Sequence, residues 1–252
     1  MPEHEMPFVV SDFDLSDTIH VSVIDIENIS DGLKSAIDAN ISQICSAELN
    51  DLQNVKSILK ERMDSWTSVT QMGAIAEFFI HLYMRCFGYK QECLFLNLEE
   101  GSIKKGFDGI YSDCDSLWIM ESKSGDRTSV NITHAAKVRE AFNDLKEKIT
   151  TGASNNPWLN AYNHARIVGT EETLRQKIKK LSDAFINHEY YTMEEMNIAP
   201  CATIFLNGVW EQYNHDTIKE SIQNMRILQG KKIHVICVTQ RSYDMFKQYL
   251  EN

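Results

Sequence analysis

Two unbroken apolar runs, Cys201-Ala-Thr-Ile-Phe-Leu206 and Ile233-His-Val-Ile-Cys-Val238, constrain the fold of this chain more than any other feature. A strand with one wet face alternates apolar and polar side chains, whereas a strand apolar throughout is covered on both faces by helices. Residues 216–228 between the runs carry a helical pattern and are followed by Gly230. That spacing suits a right-handed crossover, which makes the two strands parallel. The expected fold class is α/β, a mixed sheet flanked by helices.

Upstream, an irregular acidic stretch leads to a strand at His20–Ile26 and to helices over 30–44 and 46–63. A longer helix over 65–87 ends at Gly88, a residue common just past helix ends. Its apolar residues (Met72, Ile75, Phe78, Phe79, Ile80, Leu82, Tyr83) lie all round it, so it is buried. Cys93–Leu98 reads as the first core strand. Later helices are expected over 131–149, 157–168, 171–188 and 242–250. The first of these has the one-sided stripe Ala135, Val138, Phe142, Leu145, Ile149. No Pro/Gly/Ser-rich linker divides the 252 residues, so the division into an acidic strand/helix region, 1–64, and a main domain, 65–252, is a soft one.

The net charge of −11 is unevenly placed. Residues 1–100 hold 17 acidic and 6 basic side chains, and the remainder is neutral. The chain therefore lacks the overall basic surface that phosphate backbones attract. The acidity is either a solvated face or a surface that docks a basic partner and screens the site from nucleic acid. No apolar run reaches membrane-spanning length, since the best, Ala74–Met84, is interrupted by Glu77 and His81. The six cysteines show no CxxC pair. A soluble, cytoplasmic protein with reduced thiols and no membrane association is expected. No GxxxxGK[ST] loop is present, so any NTP-driven step needs another subunit.

The polar cluster Ser112-Asp-Cys-Asp-Ser116 separates Phe107-Asp-Gly-Ile-Tyr111 from Leu117-Trp-Ile-Met-Glu-Ser-Lys123, which makes the pair a hairpin. Side chains alternate along a strand, so Glu121 and Lys123 share one face while Met120 and Ser122 take the other. The hairpin brings Asp108 opposite Glu121 and Lys123. Two close carboxylates form a hard-oxygen site for Mg²⁺, with Mn²⁺ able to substitute, and a lysine beside them can orient a water. Each residue also has a plainer explanation. Asp108 beside Gly109 suits a turn, Glu121 a salt bridge, and Lys123 an edge strand. Glu77, alone in an apolar helix, is costly to bury without a cation, unless it simply contacts His81 at the surface. The small pair Gly73/Ala74 one turn away would let another backbone approach.

Asp108, Glu121-Ser-Lys123 and the preceding helical Glu77 together resemble the PD-(D/E)xK nuclease superfamily, the restriction-endonuclease-like fold. Phe107 stands where the family usually has proline. The resemblance covers residues 65–150 well and the two late strands loosely. It implies a Mg²⁺-dependent nuclease acting on nucleic acid, with DNA the expected substrate. Asp108, Glu121, the Ser122 carbonyl and Glu77 would hold metal, and Lys123 would orient the attacking water. Arg127 and Lys137, near the start of the following helix, would receive a neighbouring phosphate. More narrowly, Gly-Phe-Asp-Gly-Ile-Tyr with Leu-Trp-Ile-Met-Glu-Ser-Lys, downstream of Ala-Glu-Phe-Phe-Ile-His-Leu, is similar to the nuclease subunit of Hachiman-type anti-phage defence systems. That likeness implies a separate helicase partner. A stand-alone repair or restriction nuclease and a non-catalytic adaptor on the same fold stay open as alternatives.

Overall fold

The computed structural model describes residues 7–46, 51–96, 106–114, 116–152 and 155–251. In chain order the elements are β1 (Val9–Ser16), β2 (Ile19–Ile26), α1 (Asp31–Cys45), α2 (Leu52–Asp64), α3 (Ser68–Cys86), β3 (Lys90–Gln91), β4 (Gly109–Asp113), β5 (Ser116–Asp126), α4 (His134–Thr150), α5 (Pro157–Ile167), α6 (Glu172–Ile186), β6 (Asn197–Phe205), α7 (His215–Gln223), β7 (Lys232–Gln240) and α8 (Asp244–Glu251). Side-chain caps fix most helix starts: Ser30, Asp51, Thr67, Thr133, Asn156 and Asn214 each accept from a first-turn amide.

Among the described residues the seven strands join one sheet in the order β1-β2-β7-β6-β5-β4-β3. The four central strands β2, β7, β6 and β5 are parallel, and β1, β4 and β3 add antiparallel edges. This is the expected mixed sheet flanked by helices. Its parallel centre is apolar because both faces are covered: every residue of β6 and eight of the nine in β7 are buried. One core lies on the face of α1, α2, α3 and α8, and includes Ile37, Leu59, Phe78, Met120, Ile236 and Phe246. The other lies on the face of α4 to α7, and includes Ile119, Val138, Phe142, Trp158, Ala202 and Ile218.

Several elements depart from expectation. Within the acidic stretch before residue 19, residues 1–6 lie outside the described residues and Val9–Ser16 form an ordered edge strand, not irregular chain. Its Val10 and Phe13/Leu15 alternate onto the two cores, while Asp12 and Asp14 lie opposite Ser22 and His20. The first core strand is the two-residue β3, not Cys93–Leu98. Cys93–Leu96 are buried but irregular, because their amides leave the ladder: Phe95 donates to the Ile44 carbonyl and Leu94 to His164 Nδ1. Residues 97 and 98 lie outside the described residues. After Lys123 the polar segment Ser124–Asp126 continues β5, paired residue by residue with Thr203–Phe205 of β6. Asp51 starts the second helix, not Ser46, whose amide closes α1. The next helix opens at Thr67 instead of 65, and α4 at Thr133, after Asn131 has turned through a φ of 61°. The crossover helix stops at Gln223, short of Leu228, and the last one begins at Asp244.

No disulfide joins the cysteines among the described residues, of which four are buried and Cys86 and Cys114 are exposed. No helix among the described residues is long and apolar enough to cross a membrane.

Candidate functional site

β4 pairs with β5 only from Gly109↔Met120 to Asp113↔Ser116. Beyond Met120, β5 continues with β6 on one side and without β4 on the other. Asp108 sits where β4 parts from it, and its Oδ2 accepts from the Ser122 amide at 2.9 Å. The expected turn role of an aspartate beside glycine is therefore replaced by a bond across the hairpin, which pins the carboxyl against Glu121 and Ser122. Gly109 is required here by space: a Cβ would lie 2.7 Å from both Met120 Cε and the Tyr111 ring.

Glu121 is 2 % exposed and points to the α4 side of the sheet. Lys123 shares that face as alternation requires, with its Nζ 3.2 Å from Glu121 Oε1 and 2.5 Å from Asp144 Oδ2. Lys148 Nζ donates to Glu121 Oε2 at 2.6 Å. Met120 faces the opposite core, fully buried. The Ser122 hydroxyl is buried without a hydrogen-bond partner.

The sequence does not single out Asp144 and Lys148, since on α4 it offers only Lys137 and the apolar stripe. Their signal is a second stripe beside it, Lys137, Asp144 and Lys148, at helical spacing. α4 runs back along β5, so Lys137 packs near Gly125, Asp144 meets Lys123, and Lys148 meets Glu121.

Glu77 projects from α3 with a side chain 17 % exposed, and its Oε1 is 3.3 Å from His81 Nε2. The contact with His81 exists, but His81 is fully buried and the pair is no surface feature. His81 Nδ1 lies 2.5 Å from the Tyr111 hydroxyl. Burial pushes the Tyr111 phenol well above its ordinary range, so it stays protonated. The pair Gly73/Ala74 does not admit a close backbone, since a Cβ at Gly73 would meet no atom within 4 Å.

The electrostatics converge on Asp108. Burial, then Glu121, then Glu77 raise its carboxyl to about 8, against the opposing pull of Lys148 and the Ser122 amide. Burial alone would lower the Lys123 ammonium, but Glu121 and Asp144 outweigh it and hold it above its usual range. The structure thus brings Asp108, Glu121, Ser122 and Lys123 together and couples Glu77 to them. Arg127 and Lys137 lie apart, farther along β5 and at the start of α4. Arg127 pairs with Glu211 at 2.5 Å and Lys137 with Glu140 at 2.8 Å.

Among the described residues no group of three or more His, Cys, Asp or Glu side chains stands ready to hold a metal ion. The donor set still fits Mg²⁺, which uses one or two protein carboxylates and fills its remaining positions with water and substrate phosphate. Asp108 carries repulsion from two other carboxylates, which a cation would reduce.

The model of a protein family described as HamA matches residues 7–251, nearly the whole chain. A comparison with curated proteins finds no match.

Proposed function

We propose, from the premise that the chain belongs to the HamA family, that it is the metal-dependent nuclease component of a Hachiman-type anti-phage defence system. The family match supports the Hachiman setting. The observation that carries the chemistry is Asp108, fixed by the Ser122 amide beside Glu121 and charged only against the repulsion of Glu121 and Glu77. Carboxylates whose ionisation the fold itself opposes are suited to a divalent cation and a phosphate, not to a structural salt bridge.

In this reading Asp108, Glu121 and the Ser122 carbonyl hold Mg²⁺, with Glu77 contributing directly or through water. The ion supplies charge neutralisation at the scissile phosphate and a more acidic water. Lys123, shared between Glu121 and Asp144, orients the attacking water or contacts the phosphate. Lys148 holds Glu121 in place through its hydrogen bond to Oε2. Arg127 and Lys137, released from their exposed partners, steady phosphates farther along the backbone; exposed pairs of this kind cost little to break. The restriction-endonuclease-like arrangement, DNA as substrate and a separate helicase that delivers or restrains the nuclease all belong to this proposal.

Incubating the purified protein with plasmid, single-stranded DNA and RNA, with Mg²⁺ and with EDTA, tests it. Metal-dependent cleavage is expected, and no cleavage of any substrate, with or without its helicase, would defeat it. A second reading, a non-catalytic adaptor on the same fold, draws on Glu121 already being neutralised by two lysines. It expects no Mn²⁺ between Asp108 and Glu121 in a soaked crystal.

A further inference from the structure

Glu77 is the only proposed metal ligand that does not come from the hairpin. The explanation of how it is aimed lies one turn along α3 and two strands into the sheet. Resting on the metal-site reading above, we infer that His81 and Tyr111 are positioning residues that hold Glu77 toward Asp108.

His81 has no solvent contact, and both its ring nitrogens are engaged. A carboxylate can only accept, so Nε2 carries the proton that faces Glu77 Oε1 at 3.3 Å. Nδ1 is then the acceptor, and the Tyr111 hydroxyl donates to it at 2.5 Å. The phenol thus fixes the tautomer, and the tautomer fixes the donor that faces the carboxylate. This is the arrangement by which a hydrogen-bonded partner orients a ligand from behind. Tyr111 is itself fully buried and in register with Trp118 on β5.

An independent feature supports the same relay. The Tyr111 ring lies over Gly109, where a Cβ would stand 2.7 Å from ring Cε2 and 3.1 Å from the hydroxyl oxygen. Glycine at 109 leaves the space that lets the ring reach His81. The strand that presents Asp108 thereby also sets Glu77, so the two carboxylates from separate elements are referred to one piece of backbone.

The test is Mn²⁺ binding by calorimetry on the full chain without nucleic acid, with thermal melting as the check on folding. Tyr111→Phe removes one oxygen from a buried ring and should weaken Mn²⁺ binding by roughly 10- to 100-fold, the usual effect of losing such a partner. The double variant Tyr111→Phe/Glu77→Gln should bind no more weakly than Glu77→Gln alone, a non-additivity that loss of packing would not produce. His81→Gln, which keeps an N–H able to face Glu77, should retain more affinity than His81→Leu at a similar melting temperature. If wild type and Glu77→Gln differ while Tyr111→Phe binds like wild type, the relay is wrong and the metal site stands. If wild type takes up no Mn²⁺ and cleaves nothing, the metal-site reading fails and the relay fails with it.

Discussion

The sheet carries a polar network toward each end, and the two solve opposite problems. At the β1–β2 end, Ser22 Oγ donates to Asp12 and lies 2.8 Å from His234 Nε2, and the Tyr83 hydroxyl donates to Ser22. Tyr89 reaches His234 Nδ1 at 3.3 Å, while His20 bridges Asp12 and Asp14 at the rim. At the β4–β5 end, burial, Glu121 and Glu77 raise the cost of ionising Asp108. The first network matches acceptors with donors and is complete. The second gathers like charges whose mutual repulsion Lys148 and the Ser122 amide offset only in part at Asp108. Burial alone therefore does not mark a site; unresolved charge does.

The largest effect that would break this contrast is catalytic. Glu121→Ala and Lys123→Ala should each reduce nucleic-acid cleavage about 100-fold or more with little change in unfolding, and Glu77→Gln should lose less than Asp108→Asn. Steady-state rates on a labelled substrate decide it, and wild-type cleavage by Lys123→Ala would remove the assignment.

The next effect belongs to the complete network and concerns pH. Burial first, then His20, lower the His234 imidazole to about 3 against the pull of Asp12. The unfolded chain takes up a proton near pH 6.5 that the folded one refuses. Stability from this group is thus whole above about 6.5 and declines as pH falls toward 3, by at most about 1.4 kcal/mol per unit. Urea midpoints for wild type and His234→Gln measured from pH 7.5 to 4.5 should converge on the acid side. Parallel curves would show that His234 does not govern the slope.

A smaller loss is expected from Ser22→Ala. Leaving Asp12, His234 and Tyr83 short of a partner should cost about 1–3 kcal/mol in urea unfolding. Cleavage under folded conditions should stay unchanged, and a parallel loss of activity would mean the two networks are coupled.

The smallest effect sharpens the boundary of the site. Arg127→Ala should weaken DNA binding only a few-fold, equally across sequences, and lower the salt dependence by about one ion. Fluorescence anisotropy at two salt concentrations measures it, and an unchanged slope would place Arg127 outside the DNA path.

The contrast also shows what can be read from residue order. The β4–β5 hairpin, Glu121 and Lys123 on one face, and the parallel pair β6 and β7 follow from two-residue alternation and apolar runs. Those are local signals, and the structure repeats them. β1 was illegible because edge position, not composition, lets Asp12 and Asp14 sit in a strand. Cys93–Leu96 misled in the other direction: their apolar side chains serve two cores, while their amides are captured by Ile44 and His164 from distant segments. Asp144 and Lys148 required knowing that α4 runs back along β5. Tyr111 and His81 read as core residues and are buried as such; only the meeting of α3 with β4 gives their polar atoms partners.

The pairing of β2 with β7 has a consequence in time. Ile19–Ile26 lie beside Ile233–Gln240, more than 200 residues later. On a ribosome adding about 5–20 residues each second, β2 waits roughly ten to forty seconds for its neighbour. Until then its four consecutive core residues, 21–24, have no strand on that side. The hairpin bearing Asp108 and Glu121 closes within a few seconds of emerging by the same reckoning. It remains without the β6 partner that holds Glu121 and Lys123 in register until residues 197–205 follow. The acidic strands and the carboxylate centre thus each wait for a strand from the later half of the chain.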